Sequence, residues 1–197
     1  PDSMNTLCQK FELTKQKQPM EYPHVIGEGS YIHWIPYKDV MYIVKREKPL
    51  VLFDDQAQMD GTLALKPEGL SGNGMVSFSE GVLNSNMMTF KSDVFDADTS
   101  NFKLKTVGGT DFAFSTENVK GHIDFIGRKC DFVSNTGGSK VDFKVNQYYC
   151  WVNKFSWFMD SKNVELGSTQ QHTAEGGEEI KLEGSRFVST HPDQDSL

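Results

Sequence analysis

Cysteine, alanine, basic charge and long apolar runs are all scarce in this sequence of 197 residues. Its three cysteines, Cys8, Cys130 and Cys150, follow no metal-ligand spacing, and an odd number allows at most one internal disulfide. Cys130 and Cys150 either pair, if adjacent strands bring them together, or sit in the core as small apolar residues. Few alanines beside fourteen phenylalanines disfavour helix and favour strands, whose pleated surface accommodates aromatics. No apolar stretch approaches the ~20 residues of a membrane-spanning helix. The formal charge of −7 comes with no basic stripe, so neither a nucleic-acid partner nor docking on an anionic membrane surface is expected.

What is present is alternation. Leu63 and Leu65, Val76 and Phe78, Phe102 and Leu104, Phe112 and Phe114, Ile123 and Phe125, the trio Val141, Phe143 and Val145, and Ile180 and Leu182 each enclose polar or small residues. That is the period of a half-buried strand. Lys66-Pro67-Glu68-Gly69 suits a type II turn, and Gly108-Gly109, Gly137-Gly138 and Gly176-Gly177 mark further reversals. The runs at residues 31–35, 40–44 and 50–53 are apolar at odd and even positions alike, which predicts strands covered on both faces. Residues 148–159 fit a helical face or a strand face, and the bordering pattern favours strand. The expected fold is all-β: an extended β-jellyroll or β-solenoid-like stack of short antiparallel strands. Residues 1–29, broken by Pro19, Pro23, Gly27 and Gly29, read as a peripheral, moderately mobile segment. Residues 30–197 read as a single elongated β domain.

One phrase recurs. Phe95-Asp96-Ala97-Asp98-Thr99-Ser100-Asn101-Phe102-Lys103-Leu104 and Phe158-Met159-Asp160-Ser161-Lys162-Asn163-Val164-Glu165-Leu166 each read as a strand end, a polar turn and a new strand. With Gly61-Thr62-Leu63-Ala64-Leu65-Lys66-Pro67-Glu68-Gly69-Leu70, Phe155-Ser156-Trp157-Phe158-Met159-Asp160 and the closing Ser189-Thr190-His191-Pro192-Asp193-Gln194-Asp195-Ser196-Leu197, these phrases carry a resemblance. Residues 61–197 resemble part of the large, repetitive, mostly uncharacterised β proteins of the Gram-negative gut bacterial envelope. The turn-strand cadence is similar, more remotely, to the β-jellyroll of periplasmic lipopolysaccharide-transport proteins, an open roll with an apolar interior for lipid. The resemblance implies a periplasmic or outer-membrane-associated module that meets neighbouring modules or other envelope proteins. It brings no catalytic residues with it. No signal peptide is present, and the opening Pro1-Asp2-Ser3-Met4 and the closing Asp195-Ser196-Leu197 read as the ends of a piece cut from a longer protein, whose missing part leaves room for a targeting signal.

Candidates for chemistry are few. The five histidines show no paired spacing; His122 and Asp124 share a strand face, and His33 lies in an apolar run as a structural histidine or a buried base. Asp124, Asp131, Asp142 and Asp160 sit at outward or turn positions. Asp96/Asp98 and Asp193/Asp195 resemble fragments of Ca²⁺ loops but lack the glycine and terminal Glu, and read as turn caps. No catalytic, metal or cofactor site is expected, and no enzyme activity. Two apolar surfaces remain. Phe112, Phe114, Ile123, Phe125, Val141 and Phe143 line an expected cavity for an acyl chain or glycan. Tyr148, Tyr149, Trp151, Phe155, Trp157 and Phe158 form an aromatic cluster that either contacts a partner or plugs the core. The expected role is structural or interactive, with unpaired edge strands open to end-to-end self-association; the alternative is a lipid- or glycan-binding periplasmic domain.

Overall fold

A strand that alternates apolar and polar residues has one face to bury, and here nearly every strand is of that kind. The structure, a computed structural model, describes residues 2–167 and 188–189. It is all-β and antiparallel, with a single 3-10 turn at Pro36–Lys38. The strands are β1 (Met4–Leu13), β2 (Val25–Ile35), β3 (Val40–Val44), β4 (Leu50–Leu52), β5 (Ala57–Lys66), β6 (Gly69–Phe78), β7 (Gly81–Phe90) and β8 (Val94–Lys105). They continue with β9 (Phe112–Asp124), β10 (Lys129–Ser134), β11 (Ser139–Phe143), β12 (Tyr148–Val152), β13 (Lys154–Phe158), β14 (Val164–Gly167) and β15 (Val188–Ser189). All belong to one sheet, a meander that runs β1-β2-β3-β5-β6-β7-β8-β9-β10-β13-β14.

The strands off this path explain the architecture. β3 lies beside residues 31–35 of β2, and β4 beside Val25 and Ile26 of the same strand, so the two are halves of one line broken at residues 45–49. β10 and β11 are likewise two halves of a line beside β9. Beyond them β13 and β12 form the next line, broken at Asn153. Between these interruptions β5–β9 are continuous, and they carry a row of small residues: Gly61, Gly74, Ser85, Ser100 and Val119 face one another in turn, with Ser134 of β10 next. The ladder loses its register at Gly72/Gly74 and around Ser100. Serine hydroxyls take up carbonyls there: Ser85 Oγ donates to Thr99 O at 2.7 Å and Ser100 Oγ to Val119 O at 2.9 Å.

Along this row the sheet folds over on itself. Phe78 stands beside one end of β7, opposite Gly81, and Phe95 beside its other end, opposite Phe90. The 10 residues of β7 would span about 30 Å if straight. Yet the Phe78 and Phe95 rings meet edge to face at 5.9 Å, and Phe78 lies 6.0 Å from Trp157. The result is two layers made from one sheet, with the apolar faces inside.

The layers are built of cross-strand rows. In one, Leu50, Met59, Val76, Leu83, Phe102, Thr116, Val141 and Cys150 are successive neighbours, all buried. In the other, Met4, Trp34, Met41, Leu65, Leu70, Phe90, Phe95, Ile123, Cys130, Trp157 and Val164 follow one another through every strand of the main path. On the outer face the adjoining row is polar: Thr89, Asp96, His122, Asp131, Ser156 and Glu165.

Three expectations change. The peripheral segment is in fact part of the sheet: Met4–Leu13 pairs with β2 along its length, and Val25 is fully buried. Its polar composition reflects an edge strand rather than a loose one. The runs at residues 31–53 are not covered on both faces: Tyr31 and Trp34 are exposed, while Ile43, Leu50 and Leu52 are buried. Within residues 31–35 the outward face itself carries the exposed Tyr31, so apolar residues occupy both parities although one face is open. Nor are the two copies of the recurring phrase equivalent. The second is a hairpin turn between β13 and β14, but the first lies wholly inside β8, where its polar residues make the bend. The ambiguous segment 148–159 is strand, as β12 and β13.

Gly74 tests the fold line. Its φ is +127°, and an added Cβ would stand 2.4 Å from Asp60 O and 2.7 Å from the Gly61 Cα. Gly74→Ala is expected to destabilise the protein by more than about 1 kcal/mol, read as a lowered midpoint in urea unfolding.

Candidate functional site

Because both layers come from an open meander, the space between them has a mouth wherever strands end. At the β14 side the layer with the row from Met4 to Val164, the upper layer, stops at Trp157 and Val164. The layer with the row from Leu50 to Cys150, the lower layer, stops at Leu104, Phe114 and Phe143. Between them is a cleft of about 190 Å³ whose lining also includes Val107 and Asn146. Hairpin turns supply its charged rim. Lys162, from the β13–β14 turn, bonds Glu80, from the β6–β7 turn; Ser79 Oγ adds a bond to the same carboxylate at 2.5 Å. These bonds hold the Glu80 carboxyl below its ordinary range. Lys105 lies on the opposite rim.

The structure divides the expected cavity residues. Phe114, Ile123, Phe125 and Val141 are buried, and Phe143 is half-buried over Tyr148 at 4.5 Å. Phe112 leaves their line. The ladder irregularity at Leu104/Lys105 shifts it, and the outward Lys103 ammonium lies 5.2 Å from its ring. Ile123 and Phe125 pack deep in the aromatic core, where Phe125 meets Phe53 at 4.3 Å, and do not reach the cleft. Val145, expected inward, is exposed.

The aromatic cluster also splits, by strand parity. Phe155 and Trp157 point inward and are buried, with Phe155 stacked 4.6 Å from Phe132. Phe158 points out under the Lys129 ammonium. Trp151 points out too, 38% exposed, its ring perpendicular to that of Tyr149 at 5.2 Å.

Leu104, Val107 and Val164 complete the cleft, and of these only Leu104 stood out in the sequence as an inward strand residue. Leu104 and Val107 come from the β8–β9 hairpin and Val164 from β14, and nothing local in the sequence announces their meeting. The opposite edge carries a second apolar exposure. Met4 is 53% and Trp34 38% exposed at the end of the upper-layer row.

The polar candidates serve as links. His122 Nδ1 lies 2.6 Å from Asp96 Oδ1. Asp124 Oδ1 accepts from the Ile126 and Gly127 amides at 2.8 and 2.9 Å, which caps the β9–β10 turn. Burial works to raise the Asp131 carboxyl, but bonds from Lys129 and Ser156 outweigh it and hold the group low. Asp160 accepts from Arg128 Nε at 3.0 Å, and Asp142 lies 3.9 Å from Lys140. His33 is half-buried, bonded to Asn5 and stacked on Tyr42, and is not in the core. Cys130 and Cys150 are free thiols, fully buried in different strands. Burial raises both, Cys150 to about 11. Among the described residues no group of three His, Cys, Asp or Glu side chains is placed to hold a metal ion, and no helix is long and apolar enough to cross a membrane. Asp193 and Asp195 lie outside the described residues.

Comparison with protein-family models, curated proteins and solved structures gives no match.

The Glu80–Lys162 bridge gives the cleft rim a pH dependence. A carboxyl held low in the fold contributes stability above its unfolded value of about 4.3 and loses it as pH falls through the folded value. The melting temperature of Glu80→Gln is therefore expected below wild type near neutrality. The gap should close as acid protonates Glu80, as checked by thermal melts over a pH series.

Proposed function

We propose that the chain is a non-enzymatic β module of the cell envelope that works by contact, continuing its sheet into a neighbouring module or a second copy. One observation carries this reading: the buried apolar row does not stop inside the molecule. It runs to Met4 and Trp34 on one edge and to Val164 on the other. A sheet sealed for life alone ends in short or inward-charged edge strands. β1 is 10 residues long with Met4 and Thr6 on inner rows of one layer, so a strand docked beside them extends that layer's packing as well as the ladder. The envelope setting rests on the likeness of the phrases in residues 61–197 to envelope β proteins.

Light scattering on size-exclusion fractions should show association that grows with concentration. Met4→Lys with Thr6→Lys, which places charge on the inner rows of the edge, should return the protein to monomer. A wild type that stays monomeric at its highest soluble concentration counts against sheet continuation.

The second reading is lipid binding at the cleft, favoured by its apolar throat and the Lys105 ammonium at its rim, which match an acyl chain with an anionic head; Lys162 is paired with Glu80. It ranks second on size. The cleft's 190 Å³ falls short of the ~300–1,000 Å³ of most small-molecule sites, so it accommodates the end of a chain and not a whole lipid. Native mass spectrometry after detergent-free purification should then reveal an adduct of lipid mass, lost in Phe143→Glu. An adduct that survives this substitution would place the lipid elsewhere.

A further inference from the structure

On the outer face of the lower layer, one corner carries two aromatic rings. Most neighbouring outward positions across these strands are polar: Asn84 faces Asn101, Lys103 faces Ser115, and Ser115 faces Asp142, with Met75 and Val82 the apolar members of these rows. On β12 the same rows reach Tyr149 and Trp151, opposite Asp142 and Lys140, and β15 pairs beyond Tyr149 through Val188. Neither ring belongs to the core, whose inward residues on that strand are Cys150 and Val152.

The local geometry is specific. Lys140 Nζ lies 4.3 Å from the Tyr149 ring centroid and 3.9 Å from Asp142, so the ammonium occupies the face of the tyrosine. Trp151 stands perpendicular to Tyr149 and is the ring left open to solvent. Beside the pair runs a groove of about 280 Å³ lined by Ser115, Thr116, Glu117, Lys140 and Asp142. Two outward rings thus stand beside a shelf of hydrogen-bond donors and acceptors.

A ligand that fits must be divided in the same way, with a flat apolar face and a polar rim. A pyranose ring has that division: its C–H groups form one face and its hydroxyls, each donor and acceptor, project at the edge. Charge narrows the choice. Glu117 and Asp142 against the single Lys140 make the groove unfavourable to sulfated or phosphorylated ligands. A simple acyl chain would leave the groove's polar groups unmatched. We propose that this corner binds a neutral carbohydrate, a sugar ring lying against Trp151 while Lys140, Asp142 and Glu117 hydrogen-bond its hydroxyls. Tyr149 is a positioning residue that holds Trp151 and the Lys140 ammonium in place.

Affinity electrophoresis tests this in native gels cast with a soluble neutral polysaccharide, using mannan, xyloglucan, dextran and laminarin in turn, with dextran sulfate as a charged control. The wild type should be retarded in at least one neutral gel. Trp151→Ala should weaken that binding about tenfold or more, the loss expected for one stacking contact. Trp151→Phe should retain part of it, and Asp142→Ala should weaken it from the polar side with the aromatic wall intact. Circular dichroism melts establish that each variant folds. Free mobility of the wild type in every neutral gel, retardation by dextran sulfate alone, or equal retardation of wild type, Trp151→Ala and Asp142→Ala would overturn the assignment. So would an absence of retardation combined with loss of self-association in Trp151→Ala, which would make the corner a protein contact.

Discussion

The structure depends on one constraint: its strands bend together along a shared line. A meander with one apolar face must bury that face, and a sheet this wide has two ways to do so. It can close edge to edge as a barrel, or fold across its strands. Here the second solution operates, and it needs side chains small enough to let the backbone turn at the same place in adjacent strands. Gly61, Gly74, Ser85 and Ser100 provide that row, and Val119 and Ser134 continue it. Where the chain cannot bend and stay paired, it breaks: at residues 45–49, at 135–138 and at Asn153. The interior then follows. Phe78 reaches Phe95 and Trp157 only because the corner brings opposite ends of the sheet together.

This explains what the sequence could and could not reveal. Alternation is a local property, so strands and their inward residues were readable at Val76, Phe78, Phe102, Leu104, Phe114 and Ile123. The corner was not, because its residues are ordinary turn formers. Asp98-Thr99-Ser100 reads as a loop between strands, and only the pairing of β8 with β7 and β9 shows it as a bend within one strand. A bend also resets parity. In β2 the inward positions pass from Val25 before Gly29 to Ile32 after it, and within residues 31–35 the outward Tyr31 adds an apolar residue of the other parity, a pattern indistinguishable in sequence from a strand buried on both faces. The cleft was legible in part. Phe114, Phe143 and Trp157 announce themselves as apolar strand residues, but their meeting depends on the fold-over, and so do the contributions of Leu104, Val107 and Val164.

Folding over, unlike barrel closure, leaves edges. Among the described residues β14 has no pairing with β1, so the layer that holds β10, β13 and β14 ends in an open ladder and an incompletely covered apolar row, while β12 of the other layer is met by β15. The molecule offsets part of this exposure with charge. Lys10 and Glu12 pair at 2.8 Å on β1, and the segment after it is tied across the fold by Lys15 and Lys17 to Asp93 and by His24 to Asp54. These links secure the chain near Leu13. They do nothing for Met4 and Trp34 at the far end of the same strand pair. A contact role at that edge, as proposed above, is therefore compatible with stability elsewhere, since the two ends of β1 are held by different forces.

The same logic separates the outer face from the inner one. Inward aromatics need no functional account, because the fold uses them: Trp157 joins the two layers, and Phe155 stacks on Phe132. Outward carboxylates need none either, since Asp96, Asp124, Asp131 and Asp160 each hold a histidine, a turn, a serine or an arginine. Trp151 satisfies neither description. It lies one residue from the buried Cys150 and Val152, on the side of the strand where a threonine or lysine serves solubility better. Its aromatic neighbour Tyr149 is itself turned outward and capped by Lys140. A large ring placed where folding gains little from it, beside a groove of hydrogen-bonding groups, is where recognition should be sought in a protein whose interior is committed to structure.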